Sequence, residues 1–312
     1  MTRKRITWHF QVSRRNRYTI RMMKGPRVFL DYDQRELDDA YDQAVYAPNR
    51  NEVNARLTEA SRLARERYSP LRAAYGSAEI EKLDIYRTRG RDAPVAVFIH
   101  GGAWQSGTAA DHGYAAGTFV EAGAHFVVPD FDRVQDAERS LFTMVDQVRR
   151  AVQWVYRNAA SFGGDAGRLY VVGKSSGSHL GGCVAITDWR EDFGMPLHAV
   201  KGYTLQSGMY DLRGPRLSKR GAYVKFTDEI EEELSPQRHL DRVVAPIVLL
   251  YGSRETPEFQ RQSRDFAAAL ASAGKTVELM LAEDLNHFEI AETLADPNGH
   301  VGRAALRQMK LS

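Results

Sequence analysis

Three side chains have the types and the order that nucleophilic catalysis by a serine requires: Ser175, Glu255 and His287. A serine hydroxyl is a weak nucleophile unless a base takes its proton, and a carboxylate can hold that base in the productive tautomer. Ser175 is the central residue of G-K-S-S-G at residues 173–177. Between a predicted strand and a predicted helix, G-x-S-x-G is typical of a strained turn that exposes a nucleophilic serine. The alternative is an ordinary Gly/Ser-rich turn.

A second glycine-containing loop predicts groups that would stabilise negative charge on a substrate. Residues 100–104 read H-G-G-A-W and directly follow a short apolar run. Backbone amides in such a loop can point into the site, and the loss of one donor typically costs about 10²–10³ in rate. We predict that the amides of Gly102, Ala103 and Ser176 form an oxyanion hole. Trp104 is a candidate wall of the acyl pocket, with plain core packing as an equal alternative.

The positions of the base and the acid follow from the order serine, acid, histidine. His287 comes just after the last predicted strand and before a helix, where it could reach back over the sheet. Glu255 follows the preceding strand, and its task would be to orient the imidazole and stabilise the imidazolium. Asp211 and Asp284 remain alternative acids, and a surface carboxylate is the alternative interpretation of Glu255.

The elements that must position these groups alternate between strands and helices. Residues 83–86 are predicted as an edge strand and residues 95–99 as a buried one. An amphipathic helix over residues 141–155 carries an apolar face of leucine and valine. This alternation predicts an α/β domain over residues 79–312, with a mostly parallel sheet and helices on both faces. Further short apolar strands are predicted at 126–128, 169–172, 203–205, 247–251 and 277–281.

The segment before these strands is predicted to be a helical cap over residues 31–78. One short helix is expected over 34–44, and a second after Asn49, with Glu52 in capping-box spacing. Tyr41 and Tyr46 are candidate pocket residues on this cap.

The chain start is strongly basic and contains no acidic residue before Asp31. Residues 1–30 are predicted to form a disordered extension or to precede a later start at Met22 or Met23. A transit peptide and an anion-binding arm are the alternatives. The basic residues are Arg3, Lys4, Arg5, Arg14, Arg15, Arg17, Arg21, Lys24 and Arg27.

Composition narrows the class of protein and its compartment. The formal net charge of +3 over 312 residues is too small to indicate a nucleic-acid partner. The chain has one cysteine, Cys183, which excludes an intramolecular disulfide and fits a reducing compartment. No apolar run is long enough for a membrane span. We therefore expect a soluble, cytoplasmic protein without a membrane partner.

Taken together, three motifs resemble the arylformamidase (kynurenine formamidase) branch of the α/β hydrolases, which borders the hormone-sensitive-lipase-like esterases. They are H-G-G-A-W at 100–104, G-K-S-S-G-S-H-L at 173–180 and L-N-H-F at 285–288. The resemblance implies an α/β-hydrolase fold and Ser175, Glu255 and His287 as the catalytic triad. That branch more often has histidine before the serine and alanine after it, where this chain has Lys174 and Ser176. Lys174 is expected either to pack outward into a salt bridge or to alter the leaving-group preference.

The sequence therefore predicts a serine hydrolase that cleaves a small amide or ester through an acyl-enzyme, without metal or cofactor. The arylformamidase branch acts on N-formyl-kynurenine, releasing kynurenine and formate, and many of its members also hydrolyse small esters. An arylformamidase-like amidase is the first interpretation, and a general short-acyl carboxylesterase is the second. A non-catalytic binding module ranks below both, because such modules commonly lack a member of the triad. A homodimer is compatible with the sequence.

Overall fold

The computed structural model describes residues 24–312. Most of the basic segment, for which disorder was predicted, lies outside the described residues. Within the described part, eight strands form one sheet. The strands are β1 Leu71–Ala74, β2 Lys82–Tyr86, β3 Ala93–Ile99, β4 His125–Pro129, β5 Gly164–Lys174, β6 Val200–Gln206, β7 Ile247–Gly252 and β8 Val277–Ala282.

Helices fill most of the connections between these strands. The α-helices of the described chain are α1 Gln34–Ala40, α2 Arg50–Tyr68, α3 Ala116–Glu121, α4 Leu141–Asn158, α5 Ser176–Ala185, α6 Trp189–Phe193, α7 Arg213–Leu217, α8 Asp228–Glu233, α9 Pro257–Ser272, α10 Glu289–Glu292 and α11 His300–Gln308. Single 3₁₀ turns lie at Gln43–Tyr46, Ala110–Ala115, Ala159–Phe162, Lys219–Ala222, Pro236–Arg238, Leu240–Arg242 and Thr293–Ala295.

The sheet has the order β1-β2-β4-β3-β5-β6-β7-β8 and is mostly parallel, as predicted. Only the pairs β1–β2 and β2–β4 are antiparallel. The prediction that residues 83–86 form an edge strand was wrong, because β2 pairs on both sides and β1 is the edge. β1 has no recognisable strand pattern, since its four residues are mostly exposed and do not alternate between apolar and polar.

Each central strand serves two separate cores. In β3, Val95, Val97 and Ile99 pack into one apolar cluster, which includes α4, α5 and α9. The intervening Ala96 and Phe98 pack into a second cluster on the other face, with α2, α3 and α11. Successive side chains of a strand point to opposite faces, so a strand covered on both faces is apolar throughout. The buried run of β3 therefore fixes the three-layer architecture.

The N-terminal segment joins both cores. Leu37 of α1 belongs to the first cluster and Val53 of α2 to the second, so the connection between them crosses the carboxyl end of the sheet. The predicted capping box at Asn49 was wrong, because Asn49 does not cap α2. Its amide group instead donates to Glu289 and accepts from Asn286, next to the predicted base.

Among residues 24–312, no helix combines the length and the apolarity needed to cross a bilayer.

Candidate active site

Ser175 lies at the sharp turn between β5 and α5, with φ 55° and ψ −122°. A non-glycine residue rarely adopts this conformation, so surrounding structure must impose it. Gly177 allows the close approach that does so, since a Cβ on it would lie 2.1 Å from the carbonyl oxygen of Ile99. The turn places the Ser175 hydroxyl at the carboxyl end of the sheet, at the N-terminus of α5.

The structure brings Ser175, His287 and Glu255 together, although they are far apart in the chain. The Nε2 atom of His287 lies 2.8 Å from the Oγ of Ser175. Its Nδ1 lies 2.8 Å from Oε2 of Glu255. A carboxylate only accepts hydrogen bonds, so Nδ1 carries the proton and Nε2 is free to accept one from the serine. This is the arrangement of a Ser–His–acid triad.

Glu255 is buried and fully engaged by donors. Its Oε1 accepts hydrogen bonds from the Ser207 hydroxyl at 2.5 Å and from the Gly252 amide at 2.8 Å. Its Oε2 accepts from Gln43 at 3.1 Å, in addition to His287. These donors compensate the cost of burying the carboxylate and fix its orientation.

The two alternative acids lie elsewhere. Asp211 forms an ion pair with Arg238 at 3.3 Å. Asp284 pairs with Arg254 at 2.8 Å, and its side chain is 81% exposed. Neither carboxylate is hydrogen bonded to the imidazole of His287, so the geometry favours Glu255 over both.

The predicted oxyanion residues Gly102 and Ala103 line the same cavity as Ser175, and Ser176 directly follows the serine. Gly102 and Ala103 both have positive φ, 126° and 55°. Within the described part of the chain, the amides of Gly102, Ala103 and Ser176 donate to no other group, so they are free for a ligand. The Ser176 hydroxyl accepts a hydrogen bond from the Trp104 amide at 3.2 Å, which ties this loop to the start of α5.

A cavity of about 630 Å³ opens over Ser175 and His287. It is lined on one side by the glycine loop and on the other by the N-terminal segment, through residues of the 41–44 turn and of α2. This segment therefore forms one wall of the cavity, next to the reacting groups. Cavities of this size suit small-molecule ligands.

The three predicted pocket residues have different positions. Tyr41 lines the cavity, and its buried hydroxyl donates to Glu258 at 2.8 Å. For Trp104, the structure favours the alternative of core packing: it is buried, is absent from the cavity lining, and its indole N–H donates to His179 at 3.2 Å. Tyr46 is a correction, because it is 42% exposed and lines a separate surface groove. Tyr46 lies outside the cavity because the turn at 43–46 directs Gln43 inward instead.

Two further histidines, His100 and His179, are fixed by hydrogen bonds to neighbouring residues. His100 braces the glycine loop through a hydrogen bond to the Gly101 carbonyl at 2.9 Å and stacks on Phe131. His179 is bonded to Trp104 and to the Leu234 carbonyl, and burial lowers its pKa to about 4. Both are structural supports of the site.

Lys174 does not pack outward, contrary to one of the two expectations. It is buried and lines the cavity beside Ser175, with its ammonium 5.9 Å from the ring centre of Tyr114. Burial lowers its pKa to about 8. Lys174 is the last residue of β5, and Tyr114 of the 110–115 turn packs against its ammonium.

Gln43 and Arg220 also line the cavity, although no pattern in the sequence indicates a role for them. Gln43 contacts Glu255, and Arg220 lines the cavity while its guanidinium donates to the Tyr41 carbonyl at 2.9 Å. Both lie in segments without any recognisable motif, so only the three-dimensional contacts reveal them. Among residues 24–312, no group of His, Cys, Asp and Glu is placed to hold a metal ion.

The fold and this site define a serine hydrolase of the α/β-hydrolase class. The BD-FAE family model matches residues 83–209. Kynurenine formamidase of Danio rerio is 34% identical over 231 residues, which cover 72% of this chain and 76% of that protein. Kynurenine formamidase of Salmo salar is 33% identical over 77% of this chain and 81% of that protein. The chain belongs to the α/β-hydrolase family that contains these formamidases.

More distant relatives are esterases. Esterase LipC of Mycobacterium tuberculosis is 27% identical over 66% of this chain and 56% of that protein. Among solved structures, an esterase of Pyrobaculum calidifontis superposes with a TM-score of 0.67 at 18% identity, covering 89% of this chain and 97% of that one. A candidate thioesterase of Silicibacter sp. TM1040 gives 0.75 at 22% identity, covering 86% and 98%. These structures confirm the fold. The family relationship makes the chain an enzyme that cleaves an amide or ester.

Proposed function

We propose that this enzyme hydrolyses a small aryl formamide through an acyl-enzyme on Ser175, with His287 as the base and Glu255 as the acid of the triad. The observation that carries this proposal is the continuous hydrogen-bonded chain from the Ser175 hydroxyl through His287 to Glu255. The relatives at 33–34% identity named kynurenine formamidase support the formamide substrate.

In the first half of the reaction, His287 Nε2 takes the hydroxyl proton while Ser175 Oγ attacks the formyl carbon. The amides of Gly102, Ala103 and Ser176 stabilise the oxyanion that forms. The carbon–nitrogen bond then breaks, and His287 returns its proton to the leaving arylamine. Glu255 stays ionised and stabilises the imidazolium.

In the second half, His287 deprotonates a water molecule that attacks the formyl-serine. Collapse of this intermediate releases formate and restores the serine hydroxyl. These steps need neither a metal nor an organic cofactor, because the base, the acid and the oxyanion donors all belong to the chain.

The second candidate is a general carboxylesterase for short acyl groups. The esterase relatives support it, and the same triad would transfer the proton to an alcohol instead of an amine. A non-catalytic binding role is disfavoured, since the three side chains are hydrogen bonded in the geometry that catalysis requires.

Turnover of N-formyl-kynurenine, p-nitrophenyl acetate and p-nitrophenyl butyrate by one preparation tests the choice of substrate. The formamidase proposal predicts formate release from N-formyl-kynurenine at a higher kcat/KM than for either ester. Rapid ester turnover without formate release would leave only the esterase candidate. Ser175→Ala should abolish each activity that belongs to this site.

The cytoplasmic location and the homodimer remain predictions. The single, buried cysteine supports a reducing compartment. Fractionation of expressing cells and light scattering of the purified protein test the two predictions separately.

A further inference from the structure

Lys174 carries a buried positive charge that the protein does not neutralise. In the described part of the chain, it forms no ion pair with a carboxylate. The acid that most affects it is Glu292, which is already paired with Arg56 through two hydrogen bonds at 2.7 and 2.8 Å. A buried ammonium without a partner is costly, so its retention beside a nucleophile indicates a ligand.

The other groups around Lys174 are neutral. Its ammonium faces the ring of Tyr114, whose hydroxyl is buried without a hydrogen-bond partner. His112 stacks on His100, and burial, the His100 ring and the Lys174 charge lower the pKa of His112 well below its ordinary value. The charge of Lys174 therefore disfavours protonation of His112. In the described residues, no carboxylate is hydrogen bonded to the Lys174 ammonium.

A second buried cation lines the same cavity. Arg220 is 6% exposed, donates to the Tyr223 hydroxyl and the Tyr41 carbonyl, and has an unpartnered Nε. The lining contains two acids, of which one is paired with a cation. Asp42 pairs with Lys219, and Asp111 accepts a hydrogen bond from Thr108 at 2.6 Å. Arg50, Lys174 and Arg220 line the cavity together with Asp42 and Asp111, so its cations outnumber its acids, which suits an anionic ligand.

We propose that this cavity selects substrates that carry a carboxylate, and that Lys174 is the specificity-determining residue that binds it. This inference rests on the proposed function, in that the cavity over Ser175 is the substrate site. Lys174 directly precedes Ser175 and both residues line the cavity, so one substrate can contact both side chains. The ammonium is already desolvated, and a charge-assisted hydrogen bond to it is strong.

The test uses two substrates that differ only in charge: 3-(2-formamidobenzoyl)propionate and its primary amide. Both present the same formamide to Ser175. Lys174→Met should lower kcat/KM for the carboxylate by about 10- to 100-fold, since a hydrogen bond to a charged group contributes that much. The value for the amide should fall by much less, so that the ratio of the two values drops. Lys174→Arg keeps the charge and should retain the preference in part.

Lys201→Met is the matched control. Lys201 is exposed and donates to the His198 carbonyl, and the substitution removes the same charge outside the cavity. Lys201→Met should leave kcat/KM unchanged for both substrates. Equal losses for the two substrates in Lys174→Met, or no loss for either, would overturn the proposal.

A second measurement is independent of formamide turnover. Carboxylates and their neutral amides are compared as competitive inhibitors of p-nitrophenyl acetate hydrolysis: benzoate with benzamide, and butyrate with butyramide. The wild type should bind the carboxylates more tightly, and Lys174→Met should lose this difference. If esters are cleaved but formamides are not, the formamidase proposal fails. The inhibition constants still show whether the cavity binds carboxylates through Lys174. Equal inhibition of the wild type by acids and amides would contradict it.

Discussion

Gln43 donates a hydrogen bond from Nε2 to Oε2 of Glu255 at 3.1 Å, although the two residues are 212 positions apart. The same carboxylate oxygen is bonded to His287. Gln43 also accepts a hydrogen bond from the Thr256 amide at 3.2 Å. The N-terminal segment therefore contacts the triad directly as well as forming a wall of the cavity.

Replacement of Gln43 tests this contact. Gln43→Ala removes one donor to Glu255, and we expect kcat for p-nitrophenyl acetate to fall by about three- to tenfold, as for the loss of one hydrogen bond. Gln34→Ala is the control, because Gln34 lies in the same segment and bonds to Asp38 and the Leu217 carbonyl. If both variants keep wild-type kcat, the Gln43 contact has no role in orienting the acid.

The identity of the acid can be decided by two isosteric substitutions. Glu255→Gln should lower kcat by about 10³–10⁴, since an amide cannot hold the productive imidazole tautomer. Asp211→Asn should change kcat by less than about threefold, because Asp211 is paired with Arg238 away from His287. A large loss in Asp211→Asn with little loss in Glu255→Gln would reverse the assignment.

The carboxylate preference should depend on pH. Burial lowers the pKa of Lys174 to about 8, so its charge is complete below that pH and lost above it. The ratio of kcat/KM for 3-(2-formamidobenzoyl)propionate to that for its amide should fall between about pH 6 and about pH 10. Effects of pH on the chemical step cancel in this ratio, since both substrates need the same base. A ratio that stays constant over the range argues against a charged Lys174 in binding.

The buried charge of Lys174 should lower the free energy of unfolding. Its pKa is 10.5 when exposed and about 8 in the fold, so protonated Lys174 opposes folding below pH 8. This cost declines between the two values and disappears above 10.5. Lys174→Met should therefore raise the free energy of unfolding at neutral pH, by up to about 3 kcal/mol, in urea titrations. Lys201→Met should not raise the free energy of unfolding, because Lys201 is exposed. A Lys174→Met protein less stable than the wild type would mean that the ammonium is compensated in the free enzyme.

Much of the fold could be predicted because the central strands are continuous apolar runs. β3 is buried along its whole length and β5 over residues 169–174, and each leads into a glycine motif, so their order and their functional ends are visible in the sequence. β1 could not be predicted, since four mostly exposed residues carry no periodic signal and depend on pairing with β2.

The same contrast applies to the site. The positions of Ser175 and His287 follow from local motifs at strand ends. The inward position of Gln43, the outward position of Tyr46 and the burial of Lys174 depend on contacts between distant segments. Such contacts leave no local pattern, because the partner of each residue is set by the packing of α1 and α2 across the sheet.

The proposed role of Ser175 is tested most directly by covalent labelling. The protein is incubated with a fluorophosphonate, and the modified residue is located by mass spectrometry of its peptides. The account predicts one adduct, on Ser175, with loss of esterase activity in proportion to labelling and no adduct in Ser175→Ala. An unlabelled wild-type protein, or labelling that persists in Ser175→Ala, would contradict it.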